Sequence, residues 1–205
     1  TGTARVWGRT TILGARAAAL CNAYQMHNSE YDCIHEQAVV HPITVVLAAS
    51  FAEIDRVRSS ADVKISGRRL IQAVTLGVDV ACHLGVASES PLRFFRPGTC
   101  GAFGATAAVA TLRNFDADRL ISAFGIVLAQ LCGTMQAHHE GSVLLAAAMS
   151  ILIGLCIRDP SRTVHLKEES NRFSSNGFFL RANRKITPRA LSCSGPRSSL
   201  IFRTQ

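Results

Sequence analysis

The sequence predicts an all-α helical bundle. Three observations lead there. Apolar residues recur at the three- and four-residue spacing of an amphipathic helix in one segment after another. Short connections rich in Pro, Gly or acidic residues separate these segments. No stretch keeps up the period-2 alternation of a half-buried strand. The chain has 205 residues, 48% apolar and 18% charged, with a mean hydropathy of +0.21. That is enough to close one core and too apolar for a disordered chain.

The elements follow in order. Residues 15–26 are Ala-rich and free of Gly and Pro, which favours a helix. Residues 27–42 are polar and end at a proline, so they form a loop. From 44 to 57, Val45, Val46, Leu47, Ala48, Phe51, Ala52, Ile54 and Val57 recur at helical spacing. Asp62 is placed to cap the next helix, which carries Leu70, Ile71, Val74, Leu76 and Val78. Gly67 and Gly77 lie inside it, and a mid-helix glycine weakens a helix by about 1 kcal/mol. A close packing neighbour is therefore expected at one of them. Residues 88–97 hold two prolines and connect to a small, apolar helix over 98–112. There Gly98, Gly101 and Gly104 fall three apart, making a groove for a second helix. Asp116 and Asp118 open the next helix, 119–131, where acids suit the helix dipole. Gly133 is a plausible stop.

Residues 143–157 form an apolar run of 15, shorter than the ~17 residues a membrane span needs, and read as a core helix. The body is thus expected over 1–158 and a basic, poorly ordered tail over 159–205. Charge divides at the same place. Residues 1–158 hold 13 basic and 11 acidic side chains, and 159–205 hold 9 and 3. A nearly neutral body with a basic tail argues against nucleic-acid binding, which calls for charge on a folded face. The seven cysteines are odd in number and contain no Cys-x-x-Cys pair. They indicate reduced thiols in a cytoplasmic protein.

Chemistry concentrates in residues 27–42. Sixteen positions hold His27, His35, His41, Glu30, Glu36, Asp32 and Cys33. Imidazole and carboxylate move protons near neutral pH and hold anionic substrates. Three readings fit: an acid/base site, a metal site of His and carboxylate ligands, or a solvated polar loop. His35-Glu36 and His139-Glu140 both lack the second histidine of the zincin spacing. A second polar cluster, Met135 to Ser142, puts at most one of His138 and His139 toward a shared pocket. Arg96, just before the glycine-grooved helix, combines a guanidinium fork with a helix N-terminus, a pairing suited to a carboxylate.

These clusters, in this order, resemble the MmgE/PrpD family, which includes 2-methylcitrate dehydratase and cis-aconitate decarboxylase. The likeness rests on His27, Glu30-Tyr31-Asp32 and His41-Pro42. It continues through Arg96-Pro97-Gly98-Thr99-Cys100-Gly101 and through Gly133-Thr134-Met135-Gln136-Ala137-His138. The resemblance implies the family's N-terminal helical domain and a lyase without cofactor or metal, usually a homodimer. Small di- or tricarboxylates or hydroxy acids are the implied substrates. It implies His41, Glu30 and Asp32 as catalytic residues, and Arg96, His27 and His138 as substrate-binding ones. Arg96 stands where many members have a second active-site histidine. The lysine expected after the second polar cluster and the family's second domain have no counterpart here, so a truncated member is expected. Neither nucleic acid nor membrane is implied as a partner. The alternative is a non-catalytic helical module for self-association or binding.

Overall fold

The computed structural model describes residues 2–60, 64–89, 91–131 and 133–136. A two-stranded antiparallel hairpin, β1 (Ala4–Arg5) with β2 (Ile12–Leu13), comes first. Five helices follow: α1 (Ala15–His27), α2 (Pro42–Ser60), α3 (Gly67–Ala87), α4 (Arg96–Leu112) and α5 (Ala117–Gln130). The expected His138, the apolar run 143–157, the boundary at 158 and the basic tail lie outside the described residues.

The helical expectation holds, with one correction at the N-terminus. The hairpin is too short for period-2 alternation to register in sequence. Its strands survive through contacts made elsewhere. The buried Asn22 of α1 accepts from Trp7 N at 2.9 Å and donates to Arg5 O at 3.0 Å. Arg5 N donates to Asp55 of α2 at 3.1 Å. Trp7 packs edge-on against Phe51, with centroids 5.6 Å apart.

Helix α4 is the centre of the bundle. Thirteen of its residues are buried, from Pro97 to Leu112. A helix apolar on all sides has no face to offer water, so it is enclosed. It packs chiefly on α3 and α2. The buried residues of α3 are Ala73, Gly77, Ala81 and Gly85, four apart, and of these Gly77 and Ala81 lie against Gly104 of α4. At Gly77 the backbones touch. A Cβ there would lie 2.7 Å from Gly104 O, and a Cβ on Gly104 would lie 2.5 Å from Gly77 O. This is the close neighbour expected from the sequence, and only glycine permits it. Gly67 has open space instead, because it is the first residue of α3. Ser66 caps that helix, accepting from Arg69 N, and the expected cap Asp62 lies outside the described residues. Helix α5 begins as expected, with Asp116 accepting from Arg119 N at 2.9 Å.

The core joins Ala18, Ala19 and Ala23 of α1 with Val45, Val46, Ala48, Ala49 and Ala52 of α2 and Ala105, Ala108, Val109 and Leu112 of α4. Alanines dominate it, which brings the helices close. One charged group is buried here. Glu53 of α2, 1% exposed, receives Arg113 at 2.7 and 2.9 Å and Arg56 at 2.6 and 2.8 Å. Burial alone would raise its pKa, but the hydrogen bonds from Arg56 and Arg113 and their charges hold it below the usual carboxylate value. Arg113 is positioned by the end of α4. Asn114 takes a left-handed conformation (φ 55°), and Phe115 N and Asn114 N return to Ala110 O and Thr111 O, the Schellman pattern.

Candidate active site

The site is assembled where α1 ends, α2 begins and α4 begins. His27 is the last residue of α1 and is 2% exposed. Glu30 follows in a left-handed conformation (φ 57°), turning the chain back so that its carboxylate lies 3.5 Å from His27 Nε2. His41 immediately precedes Pro42, the first residue of α2. Proline suits that first helical position and keeps the residue before it extended.

Residues 35–40 form a closed loop between the two. His35 N donates to Val40 O at 3.0 Å, and Ala38 N donates to His35 Nδ1 at 3.2 Å. Two contacts fix it from outside. Ala38 sits on Gly85 so tightly that a Cβ on Gly85 would lie 2.6 Å from its own. Arg96 donates to Ala38 O at 3.4 Å and to Ser88 O at 2.8 Å. Val39 closes the loop at φ 54°. A β-branched residue in the left-handed region is strained, by roughly 1–2 kcal/mol.

Asp32 is the centre of the cluster, its side chain 4% exposed. One oxygen accepts from Thr44 Oγ1, on the first turn of α2. The other lies 3.0 Å from His27 Nδ1 and 3.4 Å from His41 Nδ1. Burial would raise the Asp32 pKa. The hydrogen bonds from Thr44 and His27, with the charges of His27 and His41, outweigh burial and hold it below the ordinary value. The two imidazoles meet edge to face, centroids 4.7 Å apart. Glu30 closes the opposite side, 3.5 Å from His27 Nε2 and 4.0 Å from His41 Nε2. Each ring therefore lies between a buried carboxylate at Nδ1 and an exposed one at Nε2. His41 Nδ1 is buried and makes no hydrogen bond.

These groups open onto a cavity of about 120 Å³. A water needs ~10–15 Å³ measured this way, so it holds several waters or a small organic acid. His27, Glu30, His41 and Arg96 supply its polar wall. Val39, Leu92, Phe95, Pro97 and Met135 supply the apolar one. Met135 arrives because residues 133–135 pair with 93–95, with Phe95 N on Gly133 O at 3.0 Å and Met135 N on Arg93 O at 3.2 Å. The start of the second polar cluster thus reaches the first.

Of the six residues the sequence singled out, four line the cavity and Asp32 braces two of them from behind; His138 lies outside the described residues. Sequence reasoning missed Thr44 and the apolar wall. Thr44 had a signal, since it sits three residues after His41 and so shares its helix face. Cys33 is exposed, while Cys82 and Cys100 pack on the site loop beside Ala38 and Val40, where burial pushes both thiols up.

The profile of the MmgE/PrpD N-terminal domain matches residues 1–150. The chain belongs to the MmgE/PrpD family. It is 34% identical over 146 residues to a cis-aconitate decarboxylase of Aspergillus terreus, covering 69% of this chain and 30% of that protein. It is 32% identical over 148 residues to the cis-aconitate decarboxylase-like protein oryM of Aspergillus oryzae, again 69% and 30%. The chain therefore spans about 30% of the length of the curated relatives it matches. Membership in MmgE/PrpD places it in a family of lyase-like enzymes.

Proposed function

We propose that this chain carries the acid/base site of a cofactor-free lyase for small di- or tricarboxylates or hydroxy acids. What supports the reading most is that His27, Glu30, His41 and Arg96, from three chain segments, face one cavity around an ionised, buried Asp32. In this reading His41 exchanges a proton at the carbon beside a substrate carboxylate, either in dehydration or after loss of CO2. Asp32 holds the two rings in place, and Glu30, 56% exposed, passes protons between the imidazoles and solvent. Arg96, held by the Ala38 and Ser88 carbonyls, contributes fixed positive charge at the cavity wall. His27, and His138 beyond the described residues, take part in holding carboxylates. A reaction of this kind in a cytoplasmic homodimer completes the proposal.

The relatives are named for cis-aconitate, which makes it the first substrate to test, with 2-methylcitrate beside it. Acid/base groups contribute roughly 10²–10⁴-fold. His41→Ala is expected to lower turnover by that factor with the helical content unchanged. Turnover undiminished in His41→Ala would overturn the assignment.

A second reading is a helical self-association module. It draws support from exposed apolar side chains on α3 (Ile71, Leu76, Leu84) and α5 (Ile121, Leu128). Helix α3 is also long and apolar enough to cross a membrane by length and composition, and it buries Ala73, Gly77, Ala81 and Gly85 within the bundle. A concentration-dependent dimer without turnover of either acid favours this module over the enzyme.

A further inference from the structure

We propose that His27, Asp32 and His41 form a binding site for one zinc-class divalent cation, with three protein ligands and a fourth position open to the cavity. The site shares residues with the proposed acid/base chemistry, but the inference stands on geometry and is read without turnover. Asp32 Oδ1 lies 3.0 Å from His27 Nδ1 and 3.4 Å from His41 Nδ1. All three ligand atoms fall within 4.8 Å of one another. Zinc bonds of ~2.0–2.1 Å to nitrogen and oxygen in a tetrahedron put ligand atoms about 3.3 Å apart. Two of the separations already match that edge. Completing it needs only a rotation of the His41 ring, whose Nδ1 has no hydrogen bond to lose.

The surroundings suit a metal ligand set independently of these distances. Ligating imidazoles commonly present their second nitrogen to a carboxylate, which fixes the tautomer and raises ligand basicity. Here Glu30 lies on the Nε2 side of both rings, leaving both Nδ1 atoms for the ion. Ligating carboxylates are themselves hydrogen-bonded, and Thr44 donates to Asp32 Oδ2, which also lies 3.1 Å from His27 Nδ1. Two imidazoles and one carboxylate favour Zn2+, Co2+ or Cu2+ over Mg2+, which prefers oxygen alone. A bound ion would take the nitrogen and carboxylate that the acid/base reading needs free, so metal and substrate chemistry exclude each other.

The test is titration of the untagged full chain with Co2+, followed by visible absorption and by competition with Zn2+ and Mg2+. One Co2+ per chain is expected, with the strong visible bands of a four-coordinate ion, displaced by Zn2+ and not by Mg2+. Asp32→Asn and His41→Gln are expected to lose the bands. Glu30→Gln is expected to weaken binding roughly 10–100-fold, as loss of a supporting partner does. His83→Ala removes an exposed imidazole beside Asp79 and is expected to change nothing. Absence of stoichiometric uptake, or bands that persist in His41→Gln, or bands lost in His83→Ala would each overturn the site. If Asp32→Asn fails to fold, His41→Gln decides, since it leaves the Asp32 bonds to Thr44 and His27 in place. Absence of turnover in the metal-free wild type, with Co2+ uptake intact, would count against the lyase reading alone.

Discussion

Two carboxylate side chains are buried among the described residues, and their partners make them different objects. Glu53 is held by two arginines through four hydrogen bonds of 2.6–2.9 Å. Arginine stays charged at any pH the protein meets. Every acceptor position on Glu53 is used. Asp32 is held by a hydroxyl and two imidazoles, side chains that carry no permanent charge. One of its imidazole neighbours has an unbonded nitrogen, and the cluster opens onto a cavity. A saturated, permanently charged cluster stores stability. An unsaturated one of titratable partners can change protonation and ligation, which is what a reaction or a metal needs.

The contrast can be broken most forcefully at Arg113. Stranding a buried charge costs about 3–5 kcal/mol, an upper bound at Glu53 because Arg56 stays bonded to it. Arg113→Met should lower unfolding stability toward that bound in a denaturant titration, while leaving the side-chain geometry at His41 unchanged. Asp32→Asn should lose less, about 1–3 kcal/mol for hydrogen bonds left unmade, and yet abolish turnover. Equal stability losses in the two variants would erase the distinction.

Acid titration sharpens it next. Both carboxyls have folded pKa values below their ordinary ones. Each therefore contributes stability above the unfolded value, near pH 4, and loses it as pH falls through the folded value. The wild type should lose stability over that acid range, and the gap to Asp32→Asn should narrow below about pH 4. A gap that widens toward low pH would contradict the direction assigned to Asp32. The smallest effect belongs to Val39. Val39→Gly relieves the left-handed strain and should raise stability by about 1 kcal/mol, with the site loop retained.

Much of this was legible in the sequence. Helical periodicity found α1 to α5 to within a few residues, because each has a core stripe and a polar connection. The density of His and acids in 27–42 marked the candidate site, and the resemblance named the right family. The hairpin escaped because two-residue strands carry no period and depend on Asn22, Asp55 and Phe51 far along the chain. Glu53 escaped because an acid on an apolar helix reads as solvent-facing until Arg113, sixty residues on, is known to meet it. The tethering of Arg96 was hidden likewise. Its charge suggested a carboxylate clamp, while its donors to Ala38 and Ser88 depend on where a loop and a helix end come to rest. Sequence reports composition and local period well. Partners that meet only through packing need the fold.

The central claim is that His27 and His41 share one cavity that receives a small carboxylate. Side-chain nitrogen NMR of the histidines during titration with cis-aconitate tests it most directly. The account predicts that the His27 and His41 ring nitrogens shift together and saturate at one acid per chain, while His83 stays still. Shifts at His83 with His27 and His41 unmoved would contradict it.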